Sequence, residues 1–164
     1  MGEIGEIGEL QTGNTPTKKD RSLYNGEIPF IKPADITNQG INYATEDTLS
    51  CKGIEKGRIA NKGDILITCI GNLGRNFHVN RKVAFNQQIN SISPILGNHV
   101  LLHYFLETNF FVKTMYKNAS ATTLSILNKT KLSNLILPLP PLNEQKRIAA
   151  KIEELFTVID STAS

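Results

Sequence analysis

The amino-acid sequence predicts an α+β fold, a mixed domain of short strands that is followed by a C-terminal helix of the coiled-coil type. Short apolar runs between glycine or proline residues predict the strands, and "KGDILITCIG" (residues 62–71) is the clearest of them. Longer apolar segments near the end of the chain predict one or two helices. No strand–helix–strand unit repeats along the sequence, which argues against a parallel α/β sheet.

The composition is that of an ordinary globular domain. The chain has 164 residues, of which 40% are hydrophobic and 20% are charged. We expect no membrane span and no signal peptide, because no apolar run is long enough and no basic segment precedes one. Cys51 and Cys69 are too few for a disulfide scaffold or a zinc site, so we expect a cytoplasmic protein. The formal charge of +3 is compatible with a polyanionic partner but not diagnostic of one.

The first half of the chain alternates strands with polar loops. Glycine at every third position from Gly2 to Gly8 indicates a leading strand or turn. Residues 12–26 are dense in turn-forming and basic residues and predict a surface loop. Residues 27–36 predict short extended segments broken by Pro29 and Pro33. The apolar run at residues 65–70 predicts a buried strand, in which Cys69 acts as a small core residue.

The second half is expected to contain the core helix. Residues 71–82 predict a polar, basic loop, and residues 83–95 alternate enough to form a strand or a pair of strands. Residues 99–118 predict one apolar helix in the core. Residues 131–140 predict a final strand, which leads into a proline-rich segment.

A helix is predicted to begin near Glu144, with Asn143 as its N-cap, because three prolines precede it. We therefore divide the chain into a domain at residues 1–142 and a helix at residues 143–164. The spacing of four, three and four residues predicts a narrow coiled-coil seam, formed by Ile148, Ile152, Leu155 and Ile159. Either this helix folds back onto its own domain, or its seam pairs with a second helix.

The sequence lacks the motifs of common catalytic sites. It has no phosphate-binding loop, no dinucleotide fingerprint and no nucleophile elbow. His99 and His103 have the spacing of a zinc helix, but "HVLLH" lacks the glutamate that would act as a base, so we expect two partly exposed histidines and no metal. "GNLG" (residues 71–74) has the form of a nucleic-acid backbone clamp, although a tight turn explains it equally well. We predict that the chain is not an enzyme.

Polar and basic residues in two loops are the candidates for a function. Arginine pairs with guanine and asparagine or glutamine with adenine in the DNA major groove, while lysine contacts phosphates. The candidates for base or backbone contact are Arg75, Asn76, Lys82, Asn86 and Gln87. The candidates for phosphate contact are Lys18, Lys19, Arg21 and Lys32. From residue types alone, ordinary solvated loops remain an alternative.

Four segments together resemble the specificity subunit of type I restriction-modification systems, as one target-recognition domain and the start of a spacer helix. The segments are "TGNTPTKKDRSLYNGEIPFIKPADI", "KGDILITCIGNLGR", "AFNQQINSISP" and "LPLPPLNEQKRIAAKIEELF". They cover nearly the whole chain in the order of the family, and the last is the most specific.

The resemblance implies a DNA-recognition module without catalysis of its own. The partners implied are double-stranded DNA and the modification and restriction subunits. The cofactor implied is S-adenosylmethionine, bound by the partner methyltransferase subunit and not by this chain. Members of the family usually carry two recognition domains joined by paired helices, each domain reading half of a split target.

This chain contains one such domain, so it is expected to be either a natural half-subunit or a fragment. Its helix would then pair with a second copy of itself or with a second recognition domain. A module that binds partner subunits without touching DNA is the alternative function.

Overall fold

The computed structural model describes residues 1–121 and 123–163, and the predicted α+β class is confirmed. The strands are Gly2–Glu3 (β1), Gly8–Thr12 (β2), Tyr24–Ile31 (β3), Ile36–Thr37 (β4), Gly40–Ile41 (β5), Thr48–Leu49 (β6), Ile59–Ala60 (β7), Ile65–Thr68 (β8), Asn76–His78 (β9), Val83–Phe85 (β10), Ile89–Pro94 (β11), Ser120–Ala121 (β12), Ser125–Ile126 (β13) and Ile136–Leu137 (β14). The α-helices are Ile4–Ile7 (α1), Cys51–Lys56 (α2), His99–Leu106 (α3), Asn109–Asn118 (α4), Lys129–Ser133 (α5) and Leu142–Thr162 (α6), and short 3₁₀ turns lie at Arg21–Leu23 and Pro33–Asp35.

Two four-stranded sheets form the frame of the domain. The first is antiparallel, in the order β2-β11-β8-β9. The second has the order β6-β3-β10-β7 and contains the parallel pair β3–β10. A two-stranded pair, β1–β14, joins the beginning of the chain to the residues just before the proline-rich segment.

Strand β8 lies between two parts of the core, as its continuous apolar run predicts. Ile65 and Ile67 pack with the helices on one face, while Leu66 packs with Ile31 and Phe85 of the second sheet on the other face. All four residues of β8 are buried. This strand therefore fixes the segment that follows it, residues 69–75, to the centre of the fold.

Two boundaries within the strands differ from the sequence-based expectation. Strand β3 is continuous through Pro29, which was expected to break it. Pro29 is tolerated because it faces the short strand β6, where the register is irregular, and because the ladder with β10 involves only Phe30 and Ile31. The loop expected at residues 71–82 contains the short strand β9.

The apolar segment 99–118 forms two helices instead of one. Helix α3 ends at Leu106, and Thr108 caps α4 by accepting a hydrogen bond from the backbone N–H of Phe111. Similarly, the strand expected at residues 131–140 is mostly replaced by α5 and the short strand β14.

The C-terminal helix begins at Leu142, with Pro141 as its N-cap. The predicted cap, Asn143, is wrong, because this residue already lies inside the first turn. Ser164 of the predicted helix lies outside the described residues. Among the described residues, no helix is both long and apolar enough to cross a membrane.

Candidate nucleic-acid interface

The loop at residues 13–20 and the turn at residues 86–88 form one surface, although they are far apart in the sequence. The hydroxyl of Thr15 donates a hydrogen bond to Oε1 of Gln87 over 2.6 Å. Gly13 allows this approach, because a Cβ atom at that position would overlap the carbonyl oxygens of Phe85 and Asn86. Gln87 is exposed beside the predicted basic loop.

Lys18 and Lys32 share one carboxylate in this region. Nζ of Lys18 lies 3.0 Å from Oδ2 of Asp47, and Nζ of Lys32 lies 2.9 Å from the same oxygen and 2.7 Å from Glu46. The pKa of the Asp47 carboxyl is lowered by its hydrogen bonds, first with Lys32 and second with Lys18. The pKa of the Lys32 amine is raised by its hydrogen bonds, first with Glu46 and second with Asp47. Because two carboxylates already neutralise Lys32, the structure argues against its predicted contact with phosphate. Lys18 also pairs with Asp47, but it has one carboxylate partner instead of two, and its side chain is 61% exposed against 30% for Lys32, so Lys18 is the more accessible of the two.

Four of the other predicted residues are exposed on the loops. Among the described residues, no ion-pair partner lies near their side chains. These four residues are Lys19, Arg21, Arg75 and Lys82. Arg81, beside Lys82, stacks over Tyr43 with 4.5 Å between the guanidinium carbon and the ring centroid. The Tyr43 hydroxyl also accepts a hydrogen bond from the backbone of Asn80 over 2.8 Å, so this aromatic ring anchors the second basic loop.

Arg75 follows a tightly held turn and lines an open groove of about 470 Å³. Its backbone N–H donates to the hydroxyl of Thr68 over 3.0 Å, which joins the turn to the end of β8. The same groove is lined by Asn38, Asn72 and Glu107. The predicted arginine thus lies in a polar groove built from separate parts of the chain.

Asn76 is buried, which argues against its predicted contact with DNA. It is 1% exposed, its Nδ2 donates to the carbonyl of Gly74, and its Oδ1 lies 2.8 Å from Nδ1 of His103. One donor and one acceptor of the amide are used inside the fold, and burial keeps the remaining ones away from a base. The residue links β9 to α3.

Asn86 is also a structural residue. It is buried, its Oδ1 accepts from the backbone N–H of Gln88, and its Nδ2 donates to the Gln88 side chain. Both bonds lie within one turn, an arrangement typical of asparagine. The predicted base contact of Asn86 is therefore not supported, whereas its neighbour Gln87 is exposed by the same turn.

Three histidine rings meet between β9 and α3. The ring centroid of His78 lies 5.0 Å from that of His99 and 5.9 Å from that of His103. His103 was expected to be partly exposed, but it is 3% exposed, and burial followed by repulsion from His78 lowers its pKa to about 4. In the described part of the chain, no group of three or more His, Cys, Asp or Glu side chains is arranged to hold a metal ion.

The four residues of the predicted seam on α6 lie in two different environments. Ile148 and Ile152 are half-buried, whereas Leu155 and Ile159 are 51% and 57% exposed. Ile148 lines an apolar cavity of about 220 Å³, which α3, the proline-rich segment and α6 enclose together. The first half of the helix therefore packs on its own domain, while the second half leaves an apolar stripe uncovered.

Sequence reasoning missed part of the groove beside Arg75. Asn72 belongs to the "GNLG" turn, and that motif was the signal that could have identified it. Asn38 lies in the β4–β5 turn and Glu107 follows α3, and no local pattern links these two residues to Arg75.

The protein family described as "Type I restriction modification DNA specificity domain" matches residues 1–163. The specificity subunit of the type I restriction enzyme MjaIX from Methanocaldococcus jannaschii is 27% identical, over 97% of this chain and 38% of its own length. The HindI specificity subunit from Haemophilus influenzae is 32% identical over 57% of this chain and 21% of its own length. The HsdS subunit from Thermoanaerobacter tengcongensis shares the fold with a TM-score of 0.75 at 22% identity, over 98% of this chain and 37% of that one. The chain thus spans well under half the length of these relatives.

Proposed function

The chain belongs to the family of type I restriction-modification DNA specificity domains, and on that premise we propose that it recognises one part of a split DNA target. In this proposal it has no catalytic activity and directs modification and restriction subunits to the DNA. The methyltransferase partner, not this chain, binds S-adenosylmethionine. The observation that carries the proposal is the family match over residues 1–163, which includes every loop with a candidate residue.

The exposed loops support DNA contact by a smaller set of residues than the sequence indicates. Arg75, Lys82 and Gln87 are exposed and are proposed to contact bases or backbone. Lys18, Lys19 and Arg21 are exposed on the adjoining loop and are proposed to contact phosphates. Asn76 and Asn86 are left out because they are buried, and Lys32 is left out because it is only partly exposed and pairs with two carboxylates.

We divide the chain into a recognition domain and a C-terminal helix that pairs with another helix. The recognition domain extends to the proline-rich segment, and α6 begins at Leu142, one residue before the boundary that the sequence predicts. The uncovered residues Leu155, Val158 and Ile159 favour pairing of α6 with another helix. That helix belongs either to a second recognition domain or to a second copy of this chain. A pair of identical copies would read a split palindrome, because the target must share the two-fold symmetry.

Binding of the chain to a pool of random duplex DNA, followed by sequencing of the bound fraction, tests the proposed function. We expect enrichment of a short sequence motif. Arg75→Ala is expected to weaken binding to that motif by about 1–3 kcal/mol and to relax the preference at one position, if arginine reads a guanine there.

Lys146→Ala is the matched control, because it removes one exposed positive charge from α6, outside the loops. It is expected to leave the selected motif unchanged. An equal loss of affinity for all sequences with Arg75→Ala would assign this residue to a phosphate. If the unmodified chain enriches no motif at low salt, the proposed function is wrong and the assembly-only alternative is favoured.

A further inference from the structure

The groove beside Arg75 brings together three parts of the chain. The β4–β5 turn contributes Asn38, the turn after β8 contributes Asn72 and Arg75, and the junction of α3 and α4 contributes Glu107. The groove has a volume of about 470 Å³ and is open to solvent. Its polar side chains include a cation, a carboxylate and two amides.

The turn that carries Arg75 is held by the rest of the fold. The hydroxyl of Thr68 donates to the carbonyl of Asn72 over 2.6 Å and accepts from the backbone N–H of Arg75 over 3.0 Å. Gly74 has a φ of +91°, a backbone conformation that glycine adopts without strain. The backbone of Leu73 donates to the hydroxyl of Tyr116 on α4 over 3.0 Å. A ligand of this turn would therefore not have to order the backbone on binding.

The charges of Arg75 and Glu107 share the groove without neutralising each other. No ion pair within 4.0 Å joins them among the described residues. The nearest basic group to the Glu107 carboxylate is His103, whose Nε2 lies 3.8 Å away. His103 is neutral at pH 7, because burial lowers its pKa to about 4, and it therefore leaves the charge of Glu107 uncompensated.

An anionic phosphate fits this groove poorly, because the Glu107 carboxylate would repel it. The groove is suited to a ligand that offers hydrogen-bond acceptors to the arginine and a donor to the carboxylate. The major-groove edge of a G·C pair has this arrangement, with O6 and N7 of guanine as acceptors and the N4 amino group of cytosine as donor. An A·T pair lacks the two adjacent acceptors that match the arginine fork.

We propose that this groove reads one G·C base pair, in which Arg75 donates to guanine and Glu107 accepts from the amino group of cytosine. Glu107 is then a specificity-determining residue, and Asn38 and Asn72 face the neighbouring positions. The inference rests on the proposed function and adds to it the identity of one base pair and the residue that reads its cytosine.

Glu107→Gln tests the proposal by the same selection from random duplex DNA. The variant removes the charge of Glu107 with little change of shape. We expect the unmodified chain to select a motif with a fixed G·C pair, and the variant to lose preference at that pair by about tenfold. Arg75→Lys, which keeps the charge but loses the planar fork, is expected to relax the same position.

Glu9→Gln is the matched control, since it removes one exposed carboxylate from β2, away from the groove. The control is expected to select the same motif as the unmodified chain. Unfolding midpoints of all variants confirm that each is folded.

Three results would overturn the inference. If Glu107→Gln strengthens binding to every sequence equally, the carboxylate only repels phosphates. If it selects the same motif with the same preference, Glu107 is not at the DNA, although the proposed function survives. If the unmodified chain selects no motif, the proposed function fails and the inference fails with it.

Discussion

His103 is a titratable side chain that the fold keeps in its neutral form. Its Nδ1 lies 2.8 Å from Oδ1 of Asn76, and because that oxygen is an acceptor, Nδ1 carries the proton. The ring also packs against Phe77, with 4.4 Å between the centroids. Protonation would place a positive charge beside His78 in a buried position, which explains why the pKa of His103 falls from 6.5 to about 4.

The lowered pKa of His103 predicts that the domain loses stability in mild acid. Below about pH 6.5 the unfolded chain binds a proton at this residue, whereas the folded chain binds it only near pH 4. The contribution of His103 to the free energy of unfolding is therefore fully present above about pH 6.5 and is lost as the pH decreases toward 4. We expect the free energy of unfolding in urea to drop by about 2 kcal/mol between about pH 7 and pH 5.

His103→Gln keeps an amide donor for Asn76 but does not titrate, and it is the matched control. Its stability is expected to depend less on pH than that of the unmodified chain. The remaining dependence is expected from His78, whose pKa is also lowered by burial and then by His99. An unchanged pH dependence in His103→Gln would show that other groups control the acid response.

Residue type identifies the chemistry of a candidate site but not which residues are accessible. Asn72 and Asn76 lie in the same predicted loop, yet only Asn72 is exposed. Asn76 is buried because it begins β9, which pairs with β8 and turns that side chain toward His103. Sequence reasoning found Arg75 and Gln87 correctly as exposed candidates, but it had no means of excluding Asn76.

At the scale of secondary-structure elements, Gln145 fastens α6 to the domain. It is buried in the first turns of α6, where its Nε2 donates to the carbonyl of Pro140 over 2.8 Å. Its Oε1 accepts from the backbone N–H of Asn98, the residue that caps α3, over 3.0 Å. One side chain thereby joins the proline-rich segment, α3 and α6.

Gln145→Ala is expected to destabilise the chain by about 1–3 kcal/mol, because it leaves the backbone groups of Asn98 and Pro140 without a partner. Urea unfolding measures the loss. Gln145→Glu keeps the acceptor for Asn98 but sets a buried carboxylate oxygen against the carbonyl oxygen of Pro140, so it is not expected to restore the stability. Lys146→Ala, at an exposed neighbouring position, is the control and is expected to change stability by under about 0.5 kcal/mol. Equal stabilities of Gln145→Ala and the control would contradict this role.

The elements that the sequence predicts well are those whose local pattern has one explanation. Strand β8 is clear because both of its faces are buried, so its apolar run is uninterrupted. The break between α3 and α4 was missed because apolar residues continue on both sides of Glu107 and Thr108. Thr108, an N-cap residue type, was the available signal for a new helix, but the continuing apolar pattern outweighed it.

At the scale of the whole molecule, the uncovered half of α6 predicts self-association. Leu155, Val158 and Ile159 form an exposed apolar stripe on the second half of α6. Light scattering over a concentration series is expected to show a reversible species of twice the 18.1 kDa chain mass. Ile159→Asp is expected to abolish it, because a charge would be buried between the helices.

Thr157→Asp adds the same charge on the opposite side of α6 and is the control, which is expected to leave association intact. A monomer at every concentration would contradict self-pairing. The helix would then require a partner from another chain or another domain.

The assembly of the candidate interface was beyond prediction from local patterns. Thr15 and Gln87 are joined although 72 positions separate them, and Asn38 and Glu107 reach the groove of Arg75 from different elements. Such contacts depend on sheet order, which places β2 beside β11 and β3 beside β10. The sequence reveals the loops as polar and basic, while the topology decides which of them meet.

The pairing of β1 with β14 has a consequence for how the domain is built into longer proteins. Gly2 lies opposite Leu137, so the chain enters and leaves the recognition domain at the same end of one antiparallel ladder. A unit with adjacent points of attachment can be exchanged as a cassette without changing the distance between the segments that flank it. If the domain reads DNA as proposed, a new preference could be acquired by replacing residues 2–137 as a block, provided that the new block keeps a partner for Gln145 where Asn98 now holds α6.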